Sequence, residues 1–504
     1  MRRAWGAALL LLPGCVGMSA KPPEPLNPVR FLLINDVYVA DTMTDGRGGL
    51  ARVATVRTRV ADQGAILFVL AGDVLSPSLL SKYYGGRQMV EALNAAKLDY
   101  ATFGNHEFEL PRDTLVARIA ESNFHWISAN CTQADGRPFP KVQPWDTVRI
   151  SGHLVGLFGL TLQEDYRSYV RCADPDSVAH VVIDTLGRLK ADLIVGLTHQ
   201  SIEADRGLLA SEPTLDLILG GHEHEAHDSV VTSRHVLKAD ANARSAQFAT
   251  LWGGKEHWRE AVGLVQIDNR LPDDSATAAV VHRWEDSLRA RLGPERVVAT
   301  APDPIDARDE VNRSRESPLG DLVTDAIRAG SGASVGLINA GAMRLDDVIP
   351  AGPVSNYQME SIFLFADETR IVTFPLTGTR LQQVLEHGVS DRGLGKGGFL
   401  QVSGIAFGYD PARPSGSRID GPITRTGGKA IAPTDTVSVA FGAYAACHGG
   451  DGYQVPEAEA ACAQADSAPR AVDLLLRYVT DSLKGKLAPI PPERIRVTGK
   501  TNPG

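Results

Sequence analysis

The sequence predicts an α/β fold of stacked sheet and helix layers, followed by a second domain. Three observations lead there. Apolar runs of strand length (31–34, 66–70, 100–103, 193–197, 217–219) alternate with helical patterns through the first half. Directly after each of these runs stands a short set of side chains able to bind a cation. A polar, proline-punctuated stretch at 299–310 then interrupts the pattern, which places a domain boundary near it. At 504 residues, 43% hydrophobic and 22% charged, the chain is globular and too long for one ordinary core.

The elements follow in order. Met1-Arg2-Arg3 and the apolar residues from Ala7 to Leu12 form the pattern of a secretory signal over residues 1–20, not of a membrane span. Leu12-Pro13-Gly14-Cys15 resembles a bacterial lipoprotein box, so lipid attachment at Cys15 and ordinary cleavage near Ala20 stand as alternatives. The expected location is periplasmic or extracellular, free or anchored to the membrane through Cys15. Residues 21–29 are too rich in proline for regular structure and read as a spacer. The first domain is expected over 30–275, with strands at 30–34, 66–70, 126–129, 153–160, 193–198 and 217–219, and helices at 50–60 and near 86–96. Ala278, Val281, Trp284, Leu288 and Leu292 mark one amphipathic helix, and with the stretch after it they make a connector over 276–310. The second domain, 311–500, opens with a helix near 318–330 and continues through β-like runs at 334–338, 371–376 and 401–408.

The formal charge of −9 and the lack of any Lys/Arg-rich stripe or tail exclude a nucleic-acid polymer as a bulk partner. A phosphate-bearing ligand must be held by a few placed arginines and by metal. Setting Cys15 aside leaves Cys131, Cys172, Cys447 and Cys462, an even number that permits three pairings. Cys447 with Cys462 closes a short loop and Cys131 with Cys172 stays within the first half, so that set is favoured; four buried free thiols are the alternative.

The chemistry is concentrated in Gly104-Asn105-His106-Glu107-Phe108-Glu109. An Asn carbonyl can ligate a hard cation, the adjacent imidazole can serve a reacting oxygen, and a carboxylate three residues on can fix the ring's tautomer. Asn35-Asp36-Val37-Tyr38, Gly72-Asp73, Thr198-His199 and Gly220-Gly221-His222-Glu223-His224 add donors at other strand ends. Two divalent ions about 3.5 to 4 Å apart can share a hydroxide and cradle a phosphoryl group. Asp36, Asp73, Asn105, His199, His222 and His224 suit that task, and a donor set without thiolate favours Mn, Fe, Co or Zn. A lone histidine is more often a surface or core residue than a ligand, and His153 and His227 are read so. The grouping of His222 and His224 after Asp73 and Asn105 reverses that reading for them.

On these motifs the first half resembles the calcineurin-type metallophosphoesterases, and residues 30–500 resemble the bacterial periplasmic 5′-nucleotidase and UDP-sugar hydrolase family. The resemblance implies a four-layer sandwich of two β-sheets flanked by helices, then a smaller α+β substrate-binding domain. It implies that Asp36, Asp73 and His224 hold one metal, and Asp73, Asn105, His199 and His222 the other. His106 becomes the catalytic histidine, oriented by Glu109 where the family usually has Asp. Tyr38 stands where the family has a histidine ligand; a ring packed beside the site is the first reading and ligation as a phenolate the second. In the second domain Arg313-Ser314-Arg315-Glu316 and Asn339-Ala340-Gly341-Ala342-Met343-Arg344 match family motifs, so Arg313, Asn339 and Arg344 would grip phosphate. Surface ion pairs are the alternative for either arginine. Phe365 and Tyr444 fall where the family clamps a base between two rings, and Asp451 on the ribose-binding acid. Departures in spacing leave core packing open for both aromatics.

The expectation is an exported, monomeric phosphoesterase with two divalent metal ions. It would hydrolyse 5′-nucleotides or related phosphoesters and pyrophosphates by attack of a metal-bridging hydroxide, with rotation between its domains about the connector. The alternatives are a thiosulfohydrolase-like enzyme of sulfur oxidation, and a nucleotide- or metal-binding protein with an impaired first metal site.

Overall fold

A computed structural model describes residues 28–43, 45–164, 166–254, 257–364, 369–487 and 493–499. The signal, Cys15, nearly all of the proline-rich spacer, and Phe365 lie outside the described residues.

Two sheets form the first domain. The seven-stranded sheet runs His257–Gln266, Ser245–Gly254, Val29–Ile34, Leu67–Ala71, Tyr100–Thr102, His125–Ile127, Val142–Gln143. The six-stranded sheet runs His227–Val231, Arg234–Lys238, Leu217–Gly220, Leu193–His199, His153–Thr161, Trp145–Ile150. Side chains alternate across each strand. Phe31 and Leu33 point into the gap between the sheets, where they meet Val69, Val155, Leu197 and Leu219. Leu32 and Ile34 point outward with Phe68 and Leu70, against the helices Leu50–Ala61 and Arg87–Ala95. On the far side Phe158, Ile194 and Ile218 are covered by the helices Pro175–Arg188 and Ile202–Ser211. The order is therefore helix, sheet, sheet, helix. Both faces of the central strands are buried, which is why they read as continuous apolar runs.

Register places the site. Ile34 pairs with Leu70 and Ala71 with Thr102, all in parallel, so Asp36, Asp73 and Asn105 leave the sheet at one edge. In the other sheet Thr198 pairs with Gly220, which brings His199 level with the start of the loop Gly221 to His224.

The helix Ser275–Leu292 lies along the first domain, with Val281 in its core and Trp284 Nε1 donating to Glu91 at 3.1 Å. The second domain is built on a four-stranded mixed sheet, Ile371–Thr377, Thr436–Gly442, Val335–Asn339, Leu400–Ser403. Its helix Pro318–Ser331 starts where Ser317 caps Gly320 N, with proline in the first turn, and ends at Gly332 in the left-handed region. Disulfides join Cys131 to Cys172 across paired strands and Cys447 to Cys462, the set favoured from spacing. No described helix is long and apolar enough to cross a membrane.

Candidate active site

Strand ends deliver the donors, and their backbones are bent to aim them. Asp36, Asp73, His222 and His224 have φ of 53°, 56°, 88° and 61°. Non-glycine residues avoid this left-handed region unless their surroundings hold them there. Close approach also dictates residue type: a Cβ on Gly104 would fall 2.1 Å from Asp73 Oδ1, and one on Gly221 2.3 Å from the Ala71 carbonyl.

Each carboxylate spends one oxygen on the scaffold and presents the other. Asp36 Oδ2 accepts from Asn35 Nδ2 (2.7 Å) and His222 N (2.8 Å), while Oδ1 faces His224 Nε2 at 3.4 Å and His199 Nε2 at 3.9 Å. Asp73 Oδ1 accepts from His106 N (2.8 Å), while Oδ2 faces His199 Nε2 at 3.1 Å. His199 Nδ1 is 2.8 Å from the Ala71 carbonyl, a contact in which it donates, and its Nε2 faces the carboxylates and Asn105 Oδ1 at 3.1 Å, where a bound cation would take the place of the Nε2 proton. The His222 ring centre is 5.3 Å from that of His199. Donor atoms about 2.0 to 2.2 Å from one cation lie roughly 3 to 3.5 Å from each other, so these residues fit bound metal. Asp36, Asp73 and His199 each offer an atom within 4.8 Å of the others. Burial opposes charge on His199, yet Asp73 and Asp36 raise its pKa to about 10, a measure of how strongly this pocket favours positive charge.

Two supports escaped the sequence reading. Glu107 is wholly buried and accepts four backbone N–H groups: Asp73 (2.9 Å) and Gly104 (2.6 Å) on one oxygen, Val74 (2.8 Å) and Leu75 (2.9 Å) on the other. It staples the loop of Asp73 to the loop of Asn105. Lys238, also wholly buried, bonds the Gln200 carbonyl (2.6 Å), lies 3.0 Å from Asp205 Oδ2, and is in close contact with Glu223 between His222 and His224. A lysine ending an apolar strand run is the one sequence signal that could have found it.

His106 donates from Nδ1 to Glu109 Oε1 at 2.9 Å, as the motif predicts, and its Nε2 lies 3.8 Å from Asp73 Oδ2. Burial works against its charge, but Glu109 and Asp73 lift its pKa to about 8. Burial would raise Glu109, yet His106 and Arg344 bring it down to about 2. Arg344 reaches across from the second domain: Nη2 lies 3.0 Å from Glu109 and 3.1 Å from His106 Nδ1, and Nη1 3.0 Å from Asp309, which also pairs with Arg313. Both arginines line the cleft and both are ion-paired there, Arg344 nearly buried and Arg313 with a quarter of its side chain exposed.

A cavity of about 380 Å³ joins this end of the site to the second domain. Asn105 and Glu109 of the first domain and Arg313, Asn339, Tyr444 and Asp451 of the second line it. Asn339 Nδ2 donates to Asp451 Oδ2 at 2.8 Å. The Tyr444 ring lies so close on Gly450 that a Cβ there would meet it at 2.3 Å. Glu164, Tyr166 and Arg167 also line the cavity, from a first-domain loop to which the sequence reading assigned no role. His153, edge-on to Trp258 at 5.0 Å, and His227, in the edge strand His227–Val231, stand apart from the donors.

Comparison with known proteins agrees with this geometry. Residues 29–226 match the family model of calcineurin-like phosphoesterases, and residues 297–458 that of the 5′-nucleotidase C-terminal domain. The chain is 24% identical to a 5′-nucleotidase of Bos taurus over 420 residues, covering 74% of this chain and 72% of that one. It superposes on a 5′-nucleotidase precursor from Thermus thermophilus with a TM-score of 0.76 at 23% identity, covering 94% of this chain and 100% of that one. A sulfate thiohydrolase from the same organism shares the fold, with a TM-score of 0.70, 17% identity, and coverage of 96% and 98%.

Proposed function

Because the chain is a metal-dependent phosphoester hydrolase that joins a calcineurin-like phosphoesterase domain to a 5′-nucleotidase C-terminal domain, we propose that it removes the 5′-phosphate of nucleotides or cleaves closely related phosphoesters outside the cytoplasm. One observation carries the substrate reading. A single cavity is lined by Asn105 and Glu109, beside the metal donors, and by Tyr444 and Asp451, a lining suited to a phosphate and a nucleoside together. Two disulfides support export, since such bonds persist in oxidising compartments.

Asp36, Asp73 and His224 would hold one cation, and Asp73, Asn105, His199 and His222 the other. When bound, such a pair supplies a hydroxide at neutral pH and charge for the phosphoryl oxygens. The chain's own groups do the rest. Arg344 and Arg313 offer forked donors to the phosphate, and His106, held by Glu109, presents Nε2 to the transferring group. Asp451, held by Asn339, accepts from ribose hydroxyls, and Tyr444 offers a face to the base.

The test is turnover of AMP and of an aryl phosphate with Mn, Co, Zn and Mg, against Asn105→Ala and His106→Ala. AMP hydrolysis lost in both variants is expected. Tight AMP binding without turnover under any metal would instead make the chain a nucleotide-binding protein.

A further inference from the structure

Tyr38 does more than pack a ring beside the donors. Its hydroxyl stands among them, 3.2 Å from Asp73 Oδ2, 3.1 Å from His224 Nε2 and 3.5 Å from Asp36 Oδ1. The ring is gripped edge-on between His106 and His224, at 5.8 and 5.6 Å, and the Tyr38 and Val39 N–H groups both donate to Asn242 Oδ1. That grip fixes where the oxygen points. A hydroxyl has one proton to give, yet two carboxylate oxygens and a ring nitrogen converge on this one. Their separations match those among ligand atoms that share a cation, roughly 3 to 3.5 Å for bonds near 2.1 Å.

We propose that Tyr38 Oη is the fourth donor of the first cation position, beside Asp36 Oδ1, Asp73 Oδ2 and His224 Nε2, and that this oxygen-rich set takes ferric iron. The second position, with Asp73, Asn105, His199 and His222, has two nitrogen donors and suits a divalent ion. The physical reason is hardness: three anionic or phenolic oxygens and one nitrogen match a small, highly charged cation better than a softer divalent one. Binding displaces the phenol proton to solvent, so one proton is released for each tyrosine–iron bond formed. The inference rests on the two-cation reading of the site and adds that the two positions are chemically unequal.

The experiment loads full-length protein, purified without chelator, with Fe(III) and Mn(II), then measures metal content and the visible spectrum. The expected result is close to two ions per chain and a coloured protein whose tyrosinate-to-iron band disappears in Tyr38→Phe, which keeps the ring and loses only the oxygen. Resonance Raman of the wild-type protein reads phenolate modes directly, so the outcome does not hang on the folding of a variant. A colourless iron-loaded protein overturns the inference. So does a wild-type chain that binds one ion where Tyr38→Phe binds two, because the hydroxyl would then be plugging the position. Aryl phosphate turnover by the Mn-loaded wild-type protein is scored separately; its loss would strike the hydrolase reading and not Tyr38.

Discussion

Arg344 Nη2 lies 3.0 Å from Glu109 Oε1, so a guanidinium carried by the second domain closes onto the carboxylate that orients His106 in the first. The same guanidinium holds Asp309 through Nη1. Removing it should lower kcat/KM for an aryl phosphate by about 10² to 10³, the range seen when one preorganised donor is lost from a reacting oxyanion. Arg344→Lys should recover little, because an ammonium cannot span two carboxylates as a fork does. Steady-state kinetics of Arg344→Ala and Arg344→Lys check this; full activity in the lysine variant would mean that only charge is required.

Glu107 touches no substrate in this reading, yet its replacement should be among the most damaging changes in the chain. Four N–H groups converge on its two oxygens, and Glu107→Gln would turn an amide NH₂ toward two of them. Leaving buried donors unsatisfied costs about 1 to 3 kcal/mol each. The expected loss is therefore at least ~2 kcal/mol in urea unfolding, together with weaker metal retention as the loops of Asp73 and Asn105 separate. Unchanged stability would show that the amides find other partners.

Much of this was legible in the sequence because it rests on local chemistry. Continuous apolar runs announced strands buried on both faces, and polar sets directly after them announced one sheet edge. The pair His106 and Glu109 was readable because three residues of separation within a turn brings them together. What escaped depended on distance along the chain. Lys238 meets Glu223 and Asp205 only after a parallel strand pairing, and Glu164, Tyr166 and Arg167 reach the cavity only because the domains close over it. Tyr38 was readable as a departure from the family pattern, but where its hydroxyl points follows from Asn242, more than two hundred residues on.

Lys238→Met tests that long-range support. The ammonium lies in a fully buried position with Asp205 and Glu223 around it, and breaking such a pair from one side leaves uncompensated charge, worth about 3 to 5 kcal/mol. Glu223, released, would also give up Ile202 N and let the His222 and His224 loop drift. Metal affinity should fall by about 10 to 100-fold, as for other groups that orient ligands. Competition with a coloured chelator measures it, and Glu223→Gln in the Lys238→Met background should restore stability before it restores affinity. Metal affinity equal to wild type would confine Lys238 to the fold alone.

Stability should also depend on pH through Asp321, far from the metal donors. This carboxylate is 1% exposed in the opening turn of the helix Pro318–Ser331, where burial pushes its pKa up to about 8 and Arg494 Nη1, 3.3 Å away, offsets only part of that. Neighbouring Glu316 pushes in the same direction as burial. The folded pKa stands above that of the unfolded chain, near 3.9, so between these values the folded state holds a proton that the unfolded state has released. Stability contributed by Asp321 is therefore intact below about pH 4, falls as pH rises through the window, and levels off above about pH 8. Asp321→Asn removes that dependence: its thermal midpoint should rise above wild type progressively from about pH 5 to 8, and the two should differ least near pH 4. A variant less stable than wild type across the whole range would show instead that the ion pair with Arg494 outweighs the burial of the charge.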